Sequence, residues 1–204
     1  MKSYRTSREE KKVFYDVVKM LVKLILLFCF RIKVDGKYNE PQDGAVIVCS
    51  NHISWWDPPL IGCILKRQVF FMTKQELFRY PLFGCILKLL GAFPVKRGSP
   101  DRKAIKKSLE ILKQNKVLGL FPEGTRSKTG KLQKPEHGIG FIAIKSKAKI
   151  LPIAIKGKYG LFKPIHIKIG KPMELNKHYK GKISHDKIEE VSYLIMDEIK
   201  KMLS

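Results

Sequence analysis

The strongest constraint on this chain is a repeated pattern: short apolar runs, each followed by polar residues, with helix-period segments between them. Ala45–Cys49, Val69–Met72, Val117–Phe121 and Ile150–Ile155 are too short for buried helices and too apolar for loops, so they read as buried strands. Arg31–Gly36 and Ile165–Ile169 alternate as half-buried strands do. Residues around 58–66, Pro81–Leu90, the stretch from Asp101 to about Asn115, His137–Ala148 and Ser184–Leu203 carry helical spacing, with Ser99 or Asp101 as cap of the third. Strands alternating with helices predict an α/β fold, a single domain whose mainly parallel or mixed central sheet is flanked by helices. A length of 204 residues with 44% hydrophobic content is enough for one such core.

The run Ala45–Cys49 delivers the most informative segment, Asn51-His52-Ile53-Ser54-Trp55-Trp56-Asp57-Pro58-Pro59. A His and an Asp stand where a strand gives way to a helix, the place where α/β folds put their chemistry. A neutral imidazole takes a proton from an alcohol. An Asp that accepts its Nδ1–H fixes the tautomer and steadies the imidazolium that forms. A plainer reading competes: Asp57 followed by Pro58 is also a good helix start, with His52 an ordinary loop residue. Five positions on a helix set side chains about 140° apart, so the pair needs a turn between them to meet.

Two more polar clusters end apolar pieces: Lys96-Arg97 and Glu123-Gly124-Thr125-Arg126. Glycine lets backbone N–H groups approach an anion, Thr adds a donor, and Arg adds a fork suited to phosphate. Parallel strands would gather His52, Arg97 and residues 123–126 at one sheet edge. Against this stands a Glu123–Arg126 loop ion pair with Lys96 and Arg97 merely solvated. Gly138-Ile139-Gly140 lacks the third glycine of a dinucleotide loop, and no G-x-S-x-G elbow is present. His137, His166, His178 and His185 have no evident partner and read as surface or structural.

Charge narrows the partners. Lys and Arg number 41 against 18 Asp and Glu, a net +23, which calls for an anionic partner: nucleic acid, an acidic membrane or acidic substrates. The cysteines, Cys29, Cys49, Cys63 and Cys85, all sit in apolar runs without C-x-x-C spacing. They read as buried small hydrophobes, with no metal site. From Lys12 to Phe30, Lys12, Asp16, Lys19 and Lys23 form one narrow polar stripe, and apolar residues cover the rest. The uninterrupted run Leu24–Phe30 falls short of the ~18 apolar residues of a span. No small-residue cleavage site follows it. The expectation is a helix in the membrane interface, basic stripe towards the headgroups, with packing on the domain's own core as the alternative. Residues 1–30 are thus expected as a membrane-associating segment and 31–204 as the catalytic domain.

Taken together, the motifs resemble those of the glycerolipid acyltransferases of the 1-acyl-sn-glycerol-3-phosphate acyltransferase family. N-H-x-S-x-x-D matches Asn51, His52, Ser54 and Asp57. A glycine followed six positions later by arginine matches Gly91 and Arg97. F-P-E-G-T-R-S matches Phe121 to Ser127, and a proline within an apolar strand matches Pro152. Lys96 stands where many members carry Asp. The resemblance implies acyl transfer from acyl carrier protein or acyl-CoA to the sn-2 hydroxyl of lysophosphatidate, without cofactor or acyl-enzyme. His52 would be the base and Asp57 its orienting partner. Arg97, Glu123, Gly124, Thr125 and Arg126 would bind phosphate, with Glu123 holding Arg126 or accepting from a glycerol hydroxyl. Asn51, Ser54, Lys96 and Pro152 would support them. It also implies a peripheral or monotopic enzyme on the cytoplasmic face of an anionic cell membrane. Glycerol-3-phosphate, other lysophospholipids and lyso-ornithine lipids are alternative acceptors. A basic nucleic-acid-binding protein is a remoter alternative, without a recognisable nucleic-acid motif.

Overall fold

In the computed structural model, which describes residues 2–96 and 101–204, the apolar runs become strands of one seven-stranded sheet. These are β1 (Arg31–Asp35), β2 (Val46–Ser50), β3 (Val69–Lys74), β4 (Phe93–Val95), β5 (Val117–Leu120), β6 (Lys149–Gly157) and β7 (Pro164–Ile169). Their order is β1-β7-β6-β2-β5-β3-β4. Strands β6, β2, β5, β3 and β4 are mutually parallel, β7 turns back antiparallel on β6, and β1 pairs parallel with β7. The helices α1 (Lys2–Cys29), α2 (Asp57–Ile64), α3 (Pro81–Leu89), α4 (Arg102–Lys113), α5 (His137–Ser146) and α6 (His185–Leu203) complete the mixed α/β domain. Asp101 caps α4 by accepting the Ala104 N–H, and Ser184 caps α6 through Lys187. The alternative cap Ser99 lies outside the described residues.

Strand β2 is buried along its whole length because both faces of the sheet are covered there. Ile47 and Cys49 enter a core with residues of α4, α5 and α6, while Val46 and Val48 enter a second core with Leu26, Leu60 and Ile61 of α1 and α2. That two-sided burial is why the strand reads as a continuous apolar run rather than an alternating one. Each fully buried Ile or Leu here stabilises the fold by about 1.5–3 kcal/mol. Gly119 in β5 serves its neighbour: a Cβ there would lie 2.2 Å from the Phe71 ring.

Helix α1 spans nearly all of the expected 1–30 segment and extends N-terminal to the Lys12–Phe30 pattern. Tyr15 and Leu26 are buried, but Val13, Val17, Leu21, Leu24 and Phe28 are exposed along one side. The polar stripe does not all face outward. Lys19 Nζ donates to Leu65 O at 2.5 Å and to Lys66 O at 3.4 Å, setting a cation against the carbonyls that end α2. Among the described residues, no helix is long and apolar enough to cross a membrane.

Two smaller expectations need correction. Cys49 is buried, but Cys29 and Cys63 are half-buried and Cys85 is exposed on α3, whose apolar side is left partly uncovered. The histidines outside the motif do have partners: His166 meets Asp35 at 2.6 Å, His178 meets Glu190 at 3.8 Å, and the rings of His137 and His185 lie 4.8 Å apart. All four stand in elements remote from His52 in sequence, where no signal marked their partners.

Candidate active site

The parallel strands end at one edge of the sheet, and β2 lies between β5 and β6 there. The chain leaves β2 through a tight loop that folds His52 and Asp57 back on each other. His52 Nδ1 lies 2.8 Å from Asp57 Oδ2, and that oxygen also accepts the backbone N–H groups of Ile53 and Ser54 at 2.7 Å each. Asp57 is fully buried and His52 nearly so. A carboxylate buried this deeply needs donors of this kind around it. Asp57 is the first residue of α2, yet its carboxylate turns towards the preceding loop instead of capping the helix, and Trp56 occupies the N-cap without a side-chain cap. With Nδ1–H engaged by Asp57, Nε2 is left as the basic nitrogen.

Four further contacts fix this loop. Asn51 pairs with the backbone of Ile155 in both directions, Nδ2 to O at 2.9 Å and Ile155 N to Oδ1 at 2.8 Å, and so ties the loop to β6. Ser54 Oγ accepts the Trp56 N–H at 3.2 Å. The His52 ring stacks on Phe121 at the end of β5, centroids 4.0 Å apart, and Phe121 stacks in turn on Phe71 at 6.0 Å. Tyr159, in the loop after β6, donates its hydroxyl to Asp57 Oδ1 at 2.7 Å. Burial first, and then the Asp57 charge, push the Tyr159 phenol well above its ordinary value, so it keeps its proton.

The loop after β5 comes to the same place. Glu123 is buried, and its two oxygens are taken by the backbone N–H groups of His52, at 2.8 Å, and of Gln133, at 3.1 Å. The expected partnership of Glu123 with Arg126 is therefore corrected: the carboxylate braces the His52 loop. Burial pushes the Glu123 carboxyl up from its ordinary value, while the His52 and Gln133 amides pull it down. Ser127 N donates to His52 O at 2.8 Å, a second tie between the two loops. Gly124 has φ +65°, and its backbone N–H turns back to Phe121 O at 3.0 Å. Thr125 is exposed, and the Arg126 guanidinium lies over the Trp55 ring, 4.0 Å from its centroid.

The remaining candidates are more peripheral. Lys96 follows β4, two strands beyond β5 or roughly 10 Å across the sheet, and is exposed. Its N–H donates to Asp101 at 2.9 Å. Arg97 lies outside the described residues. Pro152 is buried in β6 opposite Cys49. Lys74, at the end of β3 and in register with Val95, adds a cation at this edge that sequence reading passed over. Sequence reading also missed Tyr159 as a member of the site, and it gave Phe121 and Trp55, both inside the motif segments, no role of their own. For Tyr159 the one available signal is position: it follows the apolar run of β6, on the edge where His52 stands. Among the described residues, no cluster of His, Cys, Asp and Glu is placed to hold a metal ion.

A family model described as Acyltransferase matches residues 31–156. The 1-acyl-sn-glycerol-3-phosphate acyltransferase of Bacillus subtilis is 35% identical over 158 residues, covering 74% of this chain and 78% of that protein. The enzyme of the same name from Streptococcus pneumoniae is 29% identical over 95% of this chain and 75% of its own length. Among solved structures, the 1-acyl-sn-glycerophosphate (LPA) acyltransferase from Thermotoga maritima aligns with a TM-score of 0.74 at 25% identity, over 96% of this chain and 82% of that one.

Proposed function

The chain belongs to the acyltransferase family, among the 1-acyl-sn-glycerol-3-phosphate acyltransferases, and on that premise we propose that it acylates the sn-2 hydroxyl of lysophosphatidate to give phosphatidate. The donor is an acyl thioester, on acyl carrier protein or coenzyme A. One observation carries the mechanism: the hydrogen bond from His52 to a fully buried Asp57 that leaves Nε2 as the free base. Nε2 takes the proton of the acceptor hydroxyl as its oxygen attacks the thioester carbonyl. Asp57 stabilises the imidazolium while the tetrahedral intermediate exists. The C–S bond then breaks, and the imidazolium returns its proton to the departing thiolate, so no acyl-enzyme forms.

The N–H groups of His52, Ile53 and Ser54 are committed to carboxylates. The Gly124 N–H is likewise taken by Phe121 O, so the oxyanion donors are assigned to the N–H groups of Thr125 and Arg126 in the loop after β5. Arg126, with Arg97 and the cations Lys74 and Lys96, receives the acceptor phosphate. Gly124 and Thr125 shape that loop, and Glu123 braces it. Residues 1–30 form the membrane-associating segment of the enzyme and 31–204 its acyltransferase domain. The exposed apolar side of α1 enters the headgroup boundary of an anionic bilayer, on its cytoplasmic face, and the net +23 draws the chain there.

The test is direct. The full chain, in liposomes containing lysophosphatidate, is given acyl carrier protein or acyl-CoA charged with the same fatty acid. Phosphatidate formed with either donor supports the reading and identifies the donor. Product with a phosphate-free lysolipid but none with lysophosphatidate overturns the acceptor assignment.

A further inference from the structure

We propose that Tyr159 is a positioning residue of the reaction, acting on the base His52 through Asp57. The inference rests on the reading of His52 as general base. Asp57 Oδ2 is shared by the His52 ring and two backbone amides, and Oδ1 is held by the Tyr159 hydroxyl at 2.7 Å. The side chains thus form a chain from Tyr159 through Asp57 to His52, with the carboxylate clamped at both ends.

The phenol is itself held from a third direction. Its ring meets Phe30, the buried residue that follows α1, edge to face at 5.2 Å, and Phe30 meets Trp56 in the same manner at 5.9 Å. The loop carrying Tyr159 is pinned to the end of α1 by Phe162 N to Cys29 O at 2.7 Å and by Arg31 N to Lys163 O at 3.1 Å. A phenol that is half-buried, ring-packed and tied by its backbone cannot swing away from Asp57 without dismantling the junction of α1 with the sheet.

The chemistry gives the hydroxyl a defined effect. Its hydrogen bond spreads the Asp57 charge and holds the carboxylate plane, so the Nδ1–H bond keeps its direction and Nε2 its aim. The raised phenol keeps its proton in this place, so it is a donor throughout. Removing the donor concentrates charge on Asp57 and strengthens its hold on the imidazolium, so the His52 imidazolium gives up its proton less readily. The other titratable groups reaching this point are Glu123, whose carboxylate takes the His52 backbone N–H, and Arg126, which lies over Trp55.

The experiment compares wild type, Tyr159→Phe and a chain carrying 3-fluorotyrosine at 159, all full length, in phosphatidate formation as a function of pH. Tyr159→Phe keeps the ring against Phe30 and is expected to lower kcat roughly tenfold with KM for lysophosphatidate unchanged. The acid limb of its kcat/KM profile should move up by roughly half a pH unit. The fluorinated phenol is a stronger donor of nearly the same shape and should move that limb down, a response that tests the proposal even if Tyr159→Phe folds poorly. Wild-type kcat and an unmoved acid limb in both variants would overturn it. A His52→Ala chain run alongside separates the outcomes: if that chain stays active the general-base reading fails, whereas an inactive His52→Ala beside an unaffected Tyr159→Phe overturns only the role of Tyr159.

Discussion

Glu123 Oε1 accepts the backbone N–H of His52 at 2.8 Å, so the histidine at the start of one motif loop is braced by a buried carboxylate from the other. Glu123→Ala leaves the buried His52 amide without its partner, a cost of about 1–3 kcal/mol. The expected result is a lower Tm and a reduced kcat, with the acceptor KM little changed. Thermal unfolding and steady-state kinetics together check this. A rise in acceptor KM alone would put Glu123 on the substrate.

The same carboxyl predicts a pH effect. Burial raises its value in the folded chain above that in the unfolded one. Its stabilising contribution is therefore complete below the unfolded value, near pH 4, and is lost as pH rises through the raised folded value. Wild type should lose stability over that window relative to Glu123→Gln, which does not titrate. The measurement is Tm against pH for the two chains, and parallel curves would contradict the assignment.

Arg126 over Trp55 at 4.0 Å places the guanidinium above a largely exposed ring. Trp55→Ala removes that platform and Arg126→Ala removes the charge. Both should raise KM for lysophosphatidate, Arg126→Ala by roughly tenfold or more and Trp55→Ala by less, with kcat less affected. Kinetics with an acceptor lacking phosphate supply the control, since an equal loss there would remove the phosphate role.

The side chains of Leu24 and Phe28 on α1 are 58% and 73% exposed. Replacing both with Glu should leave Tm near wild type, because neither is packed in the core. Flotation with anionic vesicles should show binding reduced by roughly tenfold or more, and activity on bilayer substrate should fall with it. Unchanged vesicle binding would assign membrane association elsewhere on the chain.

Much of the fold could be read from the sequence because both sheet faces are covered, which writes β2, β5 and β6 as continuous apolar runs. The His52–Asp57 pair was legible as a spacing, since five positions around a strand end need a turn to close. The direction of β7 was not, because an alternating run such as Ile165–Ile169 fits a parallel or an antiparallel neighbour equally. Nor were the partners of Glu123: local charge pointed to Arg126, whereas burial and the neighbouring β2 loop set its contacts with His52 and Gln133. Lys19 shows the same limit, as a stripe on a helix does not say which of its members turns back to cap another.

The central claim is that His52 is the base. Acyl transfer to lysophosphatidate by wild type and His52→Ala, with folding of both checked by thermal unfolding, tests it most directly. The variant should still unfold cooperatively, with a Tm lowered by loss of the buried ring beside Asp57 and Phe121, and should keep its affinity for lysophosphatidate vesicles while the rate of phosphatidate formation falls by about 10²–10⁴-fold. A well-folded His52→Ala chain with a rate within a few-fold of wild type would contradict the account.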